Sequence, residues 1–158
     1  MIYLIKWIRK RVLQLVVFRA AGITAIKRNH FSPGFIRISS KAQLTLGGEN
    51  IYFGYNTHIG TNLTVGSNVL VASNVSFVGG DHDHEARDST MFASSRPVMR
   101  GIIIEENSWI GHGVIILDGV KVSAGSVIGA GTILTKSFPC NSVVVGNPGV
   151  VIKRRVQV

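Results

Sequence analysis

The sequence predicts an all-β fold: a parallel β-helix of six-residue units, preceded by an amphipathic α-helix and interrupted by one long loop. Three observations predict it. An aliphatic position recurs every sixth residue from Phe53 onward, a polar stretch at residues 79–101 breaks that recurrence, and the 46% hydrophobic content includes only 8% aromatic residues, so the core is aliphatic. A chain of 158 residues is one domain long. Its organisation reads as a basic helix over 1–30, a β-helix over 31–152 carrying the loop, and a basic tail over 153–158.

The N-terminal element comes first in the chain. Leu4, Ile5, Ile8, Val12, Leu15 and Val16 follow the three-to-four spacing of a helix stripe. Eight basic residues and no acid fall within 1–37, whereas the middle of the chain holds all eight acids against six bases. The formal net charge of +9 therefore belongs to the ends. A nucleic-acid binder would more often spread a basic stripe over its folded body, so no nucleic-acid partner is expected. The longest uncharged run in the segment, Val12–Phe18, is far shorter than the roughly 20 residues of a membrane span. Two readings stay open: a helix packed on the body or a neighbouring subunit, or a basic amphipathic helix on an anionic membrane face through residues 1–28.

The period itself runs Phe53, Ile59, Val65, Val71, Phe77, then after the break Ile104, Ile110, Ile116, Val122, Ile128 and Leu134. Period six fits no helix stripe. Each unit reads as a short strand and a turn, and three units make one triangular coil of eighteen residues. Coils stack about 4.8 Å apart, so equivalent aliphatic residues form ladders down the axis. The residue after each ladder position is small in Gly54, Gly60, Gly66 and Ala72, which the spacing assigns to tight corners. The single cysteine, Cys140, rules out an internal disulfide and fits a reducing cytoplasm.

The units I59-G-T-N-L-T, V65-G-S-N-V-L, I110-G-H-G-V-I and I128-G-A-G-T-I resemble the hexapeptide repeat of the left-handed β-helix acyltransferases. The segment N107-S-W-I-G-H-G-V-I-I-L-D-G-V, with I128-G-A-G-T-I-L-T-K and V145-G-N-P, is similar to the C-terminal signature of galactoside and maltose O-acetyltransferases and of polysaccharide-biosynthesis acetyltransferases. The resemblance implies a left-handed parallel β-helix and a homotrimer with active sites between adjacent prisms. It also implies acetyl-CoA as donor and a saccharide hydroxyl as acceptor, as in capsule or O-antigen synthesis. An N-acetyltransferase acting on an amino sugar stays open beside it.

The loop at 79–101 carries His82 and His84. A sugar hydroxyl is a poor nucleophile at neutral pH, and an imidazole can accept its proton and return it to the departing thiolate. Aligned from V65-G-S-N-V-L-V-A-S-N-V-S-F, the family's catalytic histidine falls on His82, with His84 in reserve. Asp83 and Glu85 are candidates for orienting the ring, although Asp83 stands where the sugar acetyltransferases often have Pro. By the same resemblance the coenzyme A positions are Trp109, Gly111, His112, Ala130, Thr135, Lys136 and Lys153. Trp109 reads equally as a buried packing residue at a prism corner. Tyr55 and Asn56 are candidate acceptor contacts. The γ-class carbonic anhydrases share the prism and bind zinc through two histidines five positions apart, with a third on another face. His82 and His84 are two apart, and no metal is expected.

Overall fold

The computed structural model describes residues 36–87 and 90–156, and the predicted N-terminal helix lies outside them. From residue 36 the chain winds in coils, each laying a strand on three faces in turn. The first coil holds β1 (Ile36–Ile38), β2 (Leu44–Leu46) and β3 (Tyr52–Phe53), and the second β4 (Thr57–Ile59), β5 (Leu63–Val65) and β6 (Leu70–Val71). The third holds β7 (Ser76–Val78), β8 (Ile102–Ile104) and β9 (Trp109–Ile110), and the fourth β10 (Ile115–Leu117), β11 (Lys121–Val122) and β12 (Val127–Ile128). The fifth holds β13 (Ile133–Leu134) and β14 (Ser142–Val145), with a single bridge from Val122 to Phe138 on the remaining face.

The three sheets run β1-β4-β7-β10-β13, β2-β5-β8-β11 and β3-β6-β9-β12-β14, every pairing parallel. A last strand, β15 (Val150–Arg154), turns back antiparallel on β14 and caps that sheet's edge. It runs across the boundary expected at 152/153, so Lys153 and Arg154 are strand residues and not a free tail.

All eleven residues of the six-residue period point inward and are at most 3% exposed. Two residues before most of them lies a second inward position, among them Leu63, Val69, Val75, Ile102 and Val114, also buried. Each strand thus inserts two side chains into the prism and turns one outward, as the alternation of a pleated strand requires.

The corners work differently from the expectation. The left-handed backbone falls three residues after the ladder position, at Asn56 (φ 55°), Asn68 (58°), Asn74 (60°) and Asn107 (54°), and at Gly113, Gly119, Gly125 and Gly131. Asparagine and glycine are the residues that tolerate that region. The small residue directly after the ladder serves close stacking: a Cβ on Gly66 would lie 2.9 Å from the Glu106 backbone nitrogen, and one on Gly111 2.7 Å from that of Ala130. The corner asparagines also join coils through their side chains, Asn50 Nδ2 donating to Asn68 Oδ1 at 2.8 Å and Asn56 Nδ2 to Asn74 Oδ1 at 3.1 Å.

Asn68 should show both roles separately. Asn68→Ala places a Cβ-bearing residue without a local polar partner in the left-handed region and removes the bond from Asn50, and should lower stability by about 1–2 kcal/mol. Asn68→Gly should recover the backbone part only. Urea midpoints at constant slope measure both variants; equal losses in the two would contradict the backbone role.

Candidate active site

Between β7 and β8 the chain leaves the prism. Leu63 pairs with Ile102 and Leu70 with Trp109, a separation of 39 instead of 18, so 21 extra residues are taken up there. The excursion starts at Gly79, where a Cβ would meet the Cβ atoms of both Thr61 and Asp118 at 2.8 Å, and at Gly80, whose φ is +71°. It ends at Arg100 and Gly101.

One carboxylate ties that end to the coils below and above. Asp118, at the equivalent corner of the next coil, accepts from Thr61 Oγ1 at 2.6 Å and from the backbone N–H groups of Arg100 and Gly101 at 2.8 Å. The Arg100 guanidinium stands 3.9 Å away. Burial alone would raise the Asp118 pKa, but the Thr61 hydroxyl, the two N–H donors and the Arg100 charge outweigh it and hold the carboxyl below its ordinary value.

His82 is held inside the loop by its own far strand of chain. Its Nδ1 lies 3.1 Å from the Ser94 carbonyl oxygen and 3.3 Å from Ser94 Oγ, and Ser94 is 6% exposed in an otherwise exposed segment. Its Nε2 lies 3.1 Å from Arg96 Nη2, while Arg96 Nη1 donates to the Gly80 carbonyl at 2.7 Å. A guanidinium has only donors, so Nε2 must accept. The ring proton is thereby assigned to Nδ1, which donates to the Ser94 carbonyl. The imidazole presents its lone pair on Nε2, the state a general base needs.

The contact to the His82 ring expected of Asp83 or Glu85 is made by Ser94. Asp83 Oδ1 accepts from the Glu85 backbone N–H at 3.0 Å, a local turn that does not touch the imidazole. His84 is exposed in that turn. Ser94 and Arg96, twelve and fourteen residues beyond His82, went unread because nothing periodic links them to it; the one signal was a serine in the middle of a non-repeating stretch.

The donor candidates divide between two corners. Gly111, His112 and Ala130 form a column at the corner leading from β9 and β12 to β10 and β13. His112 Nε2 accepts from Asn74 Nδ2 at 3.1 Å, which continues the side-chain line from Asn56. Beside this column nothing would lie within 4 Å of a Cβ at Gly113 or Gly131, so the backbone there is open to an extended ligand. Tyr55 and Asn56 stand on this column too, and not beside His82. Thr135 and Lys136 lie on the His82 corner two coils on, with Lys136 Nζ 5.9 Å from the Phe138 ring centre. Lys153 sits on β15 opposite Val143. Trp109 does not pack into a corner: it faces outward from β9 between Leu70 and Val127, 53% exposed. Within one chain, then, His82 and the His112–Ala130 column lie at opposite edges of the β1-β4-β7-β10-β13 face.

The stacked three-sided coils resemble those of the hexapeptide-repeat transferases. Residues 101–136 match the family model described as bacterial transferase hexapeptide (six repeats). The chain is 38% identical over 78 residues to the putative colanic acid biosynthesis acetyltransferase WcaF of Escherichia coli K12, covering 49% of this chain and 40% of that protein. The fold superposes on the maltose O-acetyltransferase of Clostridium difficile 630 with a TM-score of 0.67 at 27% identity, over 95% of this chain and 88% of that one. It superposes also on a hexapeptide-repeat-containing acetyltransferase of Vibrio cholerae O1 biovar eltor, solved with acetyl coenzyme A, with a TM-score of 0.64 at 21% identity, over 80% and 70%. The chain spans between 26% and 40% of the length of the first curated relatives it matches. The resemblance to hexapeptide-repeat acyltransferases thus holds in sequence and in fold, and their left-handed parallel β-helix is the fold of this chain.

The Asp118 clamp has a signed pH dependence. A carboxyl with a lowered folded-state pKa contributes stability above its unfolded pKa, near 3.9, and loses it as pH falls through the lower folded value. Asp118→Asn should therefore be less stable than the parent in urea titrations at pH 7. The gap should narrow as pH is lowered below the ordinary aspartate range; a gap constant from pH 7 to pH 2.5 would exclude the carboxylate as its origin.

Proposed function

We propose that this protein is an acetyl-CoA-dependent O-acetyltransferase acting on a saccharide hydroxyl, working as a homotrimer with each active site shared between two prisms. The observation that carries the reading is the His82 imidazole, proton-bearing at Nδ1 against the Ser94 carbonyl and lone-pair-bearing at Nε2. Nε2 takes the acceptor's hydroxyl proton as the oxygen forms its bond to the thioester carbonyl carbon. The carbon–sulfur bond breaks, and the same nitrogen returns the proton to the departing thiolate. Throughout, the Ser94 carbonyl holds Nδ1–H and stabilises the imidazolium that forms in between.

The donor fits the His112–Ala130 column. Its glycine-lined backbone leaves room for a pantetheine arm, and Lys136 at the His82 corner of a neighbouring prism is an exposed point charge suited to phosphates, as is Lys153 on β15. The separation of this column from His82 in one chain supports a site completed by a neighbour. So does the outward face of the β3-β6-β9-β12-β14 sheet, which presents Leu70 and Trp109 at 52% and 53% exposure with Val127 and Val143 beside them. The E. coli relative's name, a colanic acid biosynthesis acetyltransferase, favours a sugar within a polysaccharide precursor. Among the described residues no helix is long and apolar enough to cross a membrane. Peripheral contact through residues 1–28 is proposed from their basic amphipathic pattern alone.

Substituting His82 by Ala should reduce thiol release from acetyl-CoA by ~10²–10⁴ with a saccharide acceptor, while light scattering still reports a trimer. His84→Ala should stay within about twofold of the parent, its imidazole being exposed outside the hydrogen-bonded set. Loss in the His84 variant alone would move the base by two residues.

A further inference from the structure

A cleft of about 780 Å³ lies between the loop and the corner of the first two coils, joined to His82 through Arg96. Lys41, Asn62, Gly80, Arg96 and Met99 are among its lining residues, and no acidic residue lines it. Lys41 and Arg96 form no ion pair among the described residues. Asn62 Oδ1 is committed to the Gln43 backbone N–H at 3.0 Å, which leaves its amide NH₂ as the donor. Two cations and an amide donor around one recess make a site for an anionic oxygen group. The body outside the chain ends carries an excess of acids over bases, so the positive charge here is local and not a general property of the surface.

Arg96 does a second thing: its Nη2 occupies the Nε2 lone pair of His82, the position the acceptor hydroxyl needs. We propose that the cleft is the acceptor subsite and selects a saccharide bearing a carboxylate, which draws the Arg96 guanidinium off His82 Nε2 and so frees the base only when an acidic acceptor is bound. The proposal rests on the transferase reading above. A carboxylate engages a guanidinium through two parallel charge-assisted bonds, whereas a neutral imidazole offers one weaker acceptor. The exchange therefore runs toward the carboxylate, and its driving force is the difference between the two partners. Lys41 adds a point charge to the same group. A neutral sugar offers Arg96 nothing better than His82 and must compete with it for Nε2.

The test uses the full chain with coenzyme A and matched pairs of monosaccharides: glucose with glucuronate, galactose with galacturonate, mannose with mannuronate. Binding is followed by calorimetry and the His82 ring nitrogens by NMR of labelled imidazole. The uronates should bind about tenfold or more tighter than their neutral partners, the scale of one charge-assisted bond, and should shift the Nε2 resonance. In Arg96→Ala the preference and the uronate-dependent shift should both vanish. In Lys41→Ala the preference should shrink with the shift retained. Affinities within about twofold across all pairs, or a preference unchanged in Arg96→Ala, overturn the proposal. Absence of thiol release from acetyl-CoA with every acceptor tried overturns the transferase reading, and with it the acceptor role of the cleft.

Discussion

A prism of this kind exists only if the backbone turns three times in eighteen residues and still hands each inward N–H to a carbonyl of the adjacent coil. The N–H groups of Gly54, Gly60, Gly66 and Gly111 bond to the carbonyls of Val71, Phe77, Ile104 and Ile128 at 2.7–2.8 Å, one coil on in each case. At Gly54, Gly66 and Gly111 a Cβ would come within 3 Å of the backbone of the adjacent coil. At those three corners the reversal of direction falls on Asn56, Asn68 and Gly113, two residues later. Such a corner needs two special residues with different duties, one for approach and one for conformation. Between them sits a position free of both duties, and His112 and Ala130 hold two such positions. The columns available to chemistry are set by the backbone before any chemistry is chosen.

The same constraint decides how a loop can leave. An excursion must exit and re-enter at one corner without disturbing the pairing on either side, and Ile102–Ile104 resumes register with Leu63–Val65 as if nothing intervened. Asp118 makes that possible by receiving the two re-entering N–H groups and bracing itself on Thr61 of the coil below. A carboxylate suits the task better than an amide, since it accepts from several donors at once and its charge strengthens each bond. His82 is two residues beyond the rigid exit at Gly80, so its ring is placed by the prism through Gly80 and by the loop's return through Ser94. An imidazole held from both sides keeps one tautomer, which a base on a freely moving loop would not.

What could be read from the sequence follows from this division of labour. The ladders were legible because one physical demand, burial at each face, repeats on both sides of the loop and leaves the same residue type at each sixth position. His82 was singled out through resemblance, by its spacing from Val65 along coils with no insertion between Val65 and Phe77. The duty of Gly54 and Gly66 was misjudged because a small residue has two structural uses, and only coordinates distinguish a left-handed φ from a close approach. Ser94, Arg96 and Asp118 escaped notice for a different reason. Their partners lie across the fold or across an aperiodic loop, and a serine, an arginine and an aspartate in polar surroundings look like any solvated surface. Trp109 read equally as a coenzyme contact and as a buried corner residue; its outward aim follows from strand alternation, Ile110 being the inward neighbour.

The division of the candidate residues between two corners carries the last step. On the proposed transferase reading, hydroxyl, thioester and imidazole meet within hydrogen-bonding distance, yet the His82 corner and the His112–Ala130 column flank a whole sheet face of one prism. No side chain closes that gap, and the sheet between them is rigid because it is paired on both sides along its length. The remaining way to unite the two is to bring the column of one prism against the loop of another. Rotation about a threefold axis does this three times with a single kind of contact, and a closed ring of such contacts leaves no unmatched surface. On that reading the exposed Leu70 and Trp109 on the adjoining face would hold two corners together at the seam, a use that a solitary prism cannot give them.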